Sequence, residues 1–120
     1  MNHHTSDRGV VTAELAMGLP LLLAVTVGLV WLLSVGAAQI RTVDAARETA
    51  RAVARGDDVG AAIARGRRVA PDGAEVSVSR GDGQVVATSR ATVEGPGGLF
   101  GFLPGVTVRA EAVAADEESE

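Results

Sequence analysis

Glu14 is the only ionisable side chain between Val10 and Ile40. A lone carboxylate at the head of an apolar run has two uses. It can sit at the interfacial start of a helix, where the dipole favours negative charge by about 0.3–1 kcal/mol. Alternatively it can neutralise a cation where water is scarce, because either charge buried alone costs several kcal/mol. A chain severed after Gly9 would place a new α-ammonium on Val10, with Glu14 as the fifth residue. On neighbouring copies staggered along a helical bundle, that amine and carboxylate would set the register.

The other reactive side chains form no constellation. His3 and His4 have no third ligand near them in sequence, so no metal site is expected. No serine or aspartate has a histidine partner inside the folded part, and no glycine-rich loop has phosphate-binding spacing. The chain does not read as an enzyme, and no cofactor or small-molecule substrate is expected. A net charge of −4 gives no reason to expect nucleic acid, and Arg65, Arg67 and Arg68 read as a solvated helix face. The tripeptide Arg-Gly-Asp occurs at residues 55–57 and 80–82, where turn chemistry explains it.

The elements that position Glu14 follow from charge segregation. Mean hydropathy is +0.23, yet 22% of residues are charged. Residues 15–40 carry no charge, and as a helix they would run about 39 Å against roughly 30 Å of bilayer hydrocarbon. Residues 10–40 are therefore read as a transmembrane helix, preceded at 1–9 by a short polar stretch not expected to fold. Pro20 removes one backbone donor and predicts a kink or loosening. Ala24 and Gly28, with Gly36 two turns on, form a small-residue stripe that lets another helix approach.

Residues 41–56 continue the helix as an amphipathic segment. Ile40, Val43, Ala46, Ala50 and Val53 recur at helical spacing, and Gly56 is suited to cap the end. Asp44 with Arg47, and Glu48 with Arg51, are expected i,i+3 ion pairs. A second helix is expected at 59–69, capped by Asp57 or Asp58 and stopped by Pro71. The period then changes to two. "AEVSVSR" and "QVVATSRATV", joined by "RGDGQ", predict a β-hairpin in which Ser89 is the one polar break on the apolar face. A third strand is expected at 106–114. The fold class is thus α+β: a long helix, a short helix, and a small three-stranded antiparallel sheet packed on them. Residues 57–115 form the small α+β domain and 116–120 an acidic tail without structure.

Between the second and third strands lies "EGPGGLFGFLPG", which holds both phenylalanines of the chain. Leu99, Phe100, Phe102 and Leu103 read either as a lid on the open edge of the core or as a hydrophobic tongue. Such a tongue would touch a neighbouring subunit or the membrane surface.

"RGVVTAELAMGLPLLLAVTVGLV", followed by "VDAARETARAVARG" and "LFGFLPGVTVRAEAVA", resembles the TadE-like minor pilins, or pseudopilins, of the tight-adherence (Flp, type IVb-like) pilus system. The resemblance implies a structural or assembly subunit of the pilus. It also implies a single-pass protein of the cytoplasmic (inner) membrane, with its C-terminal domain extracytoplasmic and incorporated in a pilus. The implied partners are other pilin and pseudopilin subunits, the pilus assembly machinery and a prepilin peptidase. Under this likeness residues 1–9 are a leader peptide, Gly9 and Val10 flank the scissile bond, and Glu14 is the assembly and processing glutamate. The arginines at 41, 47, 51 and 55 alone favour the C-terminal side inside; the reading follows the resemblance. Two alternatives stand beside it. One is an uncleaved single-pass protein that scaffolds or regulates an envelope complex. The other is a Sec-exported soluble protein cleaved near Val35-Gly36-Ala37.

Overall fold

The computed structural model describes residues 3–117; for residues 3–6 and Leu99 only the backbone is described. The elements are α1 (His3–Ala54), α2 (Val59–Val69), β1 (Glu75–Gly81), β2 (Gln84–Val93), a 3₁₀ turn (Gly98–Phe100) and β3 (Val106–Ala115). The chain measures 92 × 20 × 19 Å, because α1 alone contributes 52 residues, or about 78 Å.

α1 begins earlier than the sequence reading has it. The stretch expected not to fold is helical from His3, and the helix passes without a break through Gly9, Val10 and Pro20. The expected boundary at 9/10 is a change in side-chain character and not in backbone, while at 40/41 the helix continues without a break, as expected. Glu14 therefore lies well past the first turn of the intact helix, beyond the reach of its dipole.

The end of α1 is set by Gly56. Its φ of 97° is open to glycine. The amides of Gly56 and Asp57 donate to the carbonyls of Val53 and Ala52 at 3.0 Å each, a Schellman closure. Asp58 then caps α2, its Oδ2 accepting from the Ala61 amide at 3.0 Å. α2 lies close against α1 because Gly66 has no side chain: a Cβ there would collide with Thr49 Oγ1. Arg41, placed by its period on the solvated arc, instead donates to the carbonyls of Val69 and Ala70 at 3.1 and 2.9 Å, closing the C-terminal end of α2. Among the described residues no ion pair joins Asp44 to Arg47 or Glu48 to Arg51. These side chains instead line a polar groove with Arg65 and Arg68.

The sheet has the order β1-β2-β3, antiparallel throughout. The β1–β2 hairpin closes at Gly81↔Gln84 on Asp82 (φ 54°) and Gly83 (φ 73°), both left-handed as a type I′ turn requires. Val85, Ala87, Ser89 and Ala91 of β2 face inward, against α1. The core is built of small residues: Ala45, Ala46, Ala52, Val53, Ala62 and Val85 are fully buried, together with Thr42 and Thr49. Each threonine satisfies its hydroxyl on the carbonyl four residues back, at Ala38 (2.7 Å) and Ala45 (2.8 Å). Ile40, expected on the core face, is 64% exposed. It belongs instead to an exposed apolar strip with Leu29, Leu32 and Leu33. The reason is that α1 packs on the sheet and α2 through its narrowest side chains, which leaves the bulky ones outside.

Candidate functional site

Most of the candidate residues lie along α1, which has two different surroundings; Leu99, Phe100, Phe102 and Leu103 lie on the loop between β2 and β3. In its N-terminal half the large side chains point outward: Leu21, Leu22 and Leu23 are 68%, 63% and 65% exposed. Glu14 is exposed in this same apolar half, and nothing folds over Gly9 or Gly18. From Ala38 onward, one face of the helix is covered by the sheet and α2.

The boundary between the halves is lower on the helix than expected. The 15–40 stretch does not stand free of the domain: Val35 and Ala38 pack under Ala91, Val93 and Val108. Gln39 donates to the Arg109 carbonyl at 3.3 Å. Trp31 Nε1 donates to the Glu94 carbonyl at 2.9 Å, fixing the loop after β2 to the helix.

That loop does not cover the open edge of the core. It descends along α1, where Pro96, Gly97 and Phe100 line one shallow groove with Pro20, Ala24 and Val27. Phe100 and Leu103 line another beside Gly28 and Trp31. A Cβ at Gly28 would meet the Phe100 ring at 3.9 Å, ordinary contact. The small-residue stripe is thus divided. Ala24 and Gly28 receive this chain's own loop, while Gly36 remains open, with nothing within 4 Å of a Cβ built there. Phe100 and Leu103 are half-buried; Phe102 is 79% exposed. The side chains of Leu99, His3 and His4 lie outside the described part, as do residues 118–120 of the acidic tail.

Among the described residues one helix is long and apolar enough to cross a membrane, and it runs unbroken into the segment that carries a small α+β domain, the architecture of a membrane anchor. Residues 9–51 match the family model described as TadE-like protein. The match covers about a third of the chain: it starts at Gly9, ends within α1, and includes Glu14, so this helix is similar to the TadE-like family. No curated protein and no solved structure matches the chain.

Three features escaped the sequence reading: the helix-capping role of Arg41, the burial of Thr42 and Thr49, and the docking of the loop on Gly28. The first two carried a signal. Thr42 and Thr49 lie seven apart with Ala38 and Ala45 on one narrow face, the spacing of a close helix contact.

Proposed function

We propose that this protein is a minor pilin or pseudopilin of a tight-adherence type IV pilus. In this reading α1 anchors it in the cytoplasmic membrane, and the α2–β domain lies on the extracytoplasmic side. The observation that carries the proposal is the exposed, apolar N-terminal half of α1 holding one carboxylate, in a helix that matches the TadE-like family over residues 9–51.

A prepilin peptidase would hydrolyse the Gly9–Val10 bond, leaving a carboxylate on Gly9 and an ammonium on Val10. Glu14 would then be the fifth residue, at the start of the second turn and close to the positive end of the new helix. In a bundle of staggered subunits it would neutralise the Val10 ammonium of a neighbour. The helix runs through the scissile bond in the intact chain, so the peptidase must unwind it there. Gly9, with about 1 kcal/mol less helix propensity than alanine, is the weak point at which to do so.

The same continuity favours a second reading, an uncleaved single-pass anchor that scaffolds an envelope complex. Glu14→Ala separates the two. For a pilin subunit, the variant inserts in the membrane at the normal level yet disappears from sheared pili or abolishes piliation. Normal incorporation of the variant would remove Glu14 from any role in assembly.

A further inference from the structure

We infer that the loop between β2 and β3, residues 95–105, is a membrane tongue whose exposed apolar side lies among the acyl chains of the leaflet nearest the domain. This rests on the anchoring half of the proposed function, and on neither processing nor pilus membership.

The depth follows from the helix. The loop touches α1 between Pro20 and Trp31. A hydrocarbon layer about 30 Å thick spans about 20 helical residues. If it starts anywhere from Val10 to Leu15, it ends near residues 30–35, and the stretch touching the loop lies within it. Whatever packs beside that stretch shares its depth.

The composition fits. No charge occurs between Glu94 and Arg109, although the domain around them is richly charged. Within the loop, Phe102 is 79% exposed.

The backbone fits as well. Irregular chain in hydrocarbon is tolerated where its polar groups are satisfied or covered by protein. Pro96 and Pro104 have no amide to satisfy. The amides of Phe100, Gly101 and Leu103 donate within the loop at 3.0, 3.1 and 3.0 Å. The Glu94 carbonyl, at the loop's entry, accepts from the Trp31 indole, a side chain suited to the interfacial belt. Such a tongue fixes how deep α1 sits and which way it faces.

The chain has no cysteine, so single labels can be introduced cleanly. Nitroxides at Phe102→Cys and Pro104→Cys are compared with Leu22→Cys on the free helix and Asp82→Cys at the hairpin tip. The full chain is reconstituted in phosphatidylcholine–phosphatidylglycerol vesicles at high lipid excess. Collision with oxygen is measured against collision with a water-soluble nickel chelate. The tongue labels should follow Leu22, with an oxygen-to-nickel ratio several-fold above that at Asp82. Tongue labels resembling Asp82, with Leu22 still in lipid, would overturn the tongue and leave the anchor standing. Labels shielded from both reagents and broadened by a neighbouring copy would assign the surface to a subunit contact instead. A water-exposed Leu22 would overturn anchor and tongue together.

Discussion

The two halves of α1 invert each other. In the N-terminal half the bulky residues are outside, with Leu19, Leu21 and Leu33 at 62%, 68% and 73% exposure. In the C-terminal half it is the small ones that vanish, with Ala45, Ala46 and Ala52 at 0%. One helix obeys two rules because it has two solvents. Where the domain packs, the contact is set by how closely backbones can approach, and Ala, Thr and the facing Gly66 win over larger side chains. Where nothing packs, leucine is retained on the outside, which is unfavourable in water and neutral in lipid. The same contrast marks Ile40: it follows the helical period of the core face, yet it continues the outward strip.

Substitutions can break this contrast from either side. A charge in the outer half should have the largest effect. Leu22→Arg should cost about 3 kcal/mol of insertion and empty the membrane fraction. The domain should keep its fold, as judged by thermal unfolding of the detergent-solubilised chain. In the inner half, Gly66→Ala should cost about 1–3 kcal/mol by wedging α2 away from Thr49, read by denaturant unfolding. Adding Thr49→Ala should return part of that loss. Insertion should not change in either variant. Gly56→Ala should cost about 1 kcal/mol through its left-handed φ of 97°, again in the domain alone. The smallest effect should be a gain. Ser89 Oγ is buried on the inner face of β2 and, among the described residues, has no hydrogen-bond partner. Ser89→Ala should raise stability by up to about 1 kcal/mol in the same assay.

Much of the domain was legible in the chain. α2 at Val59–Val69 and β2 at Gln84–Val93 were bounded by strong local signals: Asp58 and Pro71 for the helix, and Asp82-Gly83 with a period of two for the strand. The start of α1 was not legible, because no residue between His3 and Val10 stops a helix that already propagates toward it. The path of the 95–105 loop was not legible either. Its glycines and prolines announce a turn, but only the tertiary contact of Phe100 with the Ala24–Gly28 face decides which way the turn goes. Asp44, Arg47, Glu48 and Arg51 mark the limit of spacing arguments. They are placed to pair, yet weak surface pairs do not fix rotamers.

For Glu14 the sequence supplies the residue and the match over residues 9–51 supplies a likeness, while its proposed role depends on an event that changes the chain covalently. The intact mass of the protein purified from membranes tests this most directly. A polypeptide beginning at Val10, with or without a methyl group on its amine, is the outcome that pairing of Glu14 with a neighbour's amine requires. A working appendage subunit that still begins at Met1, or a released chain beginning near Ala38, would contradict it.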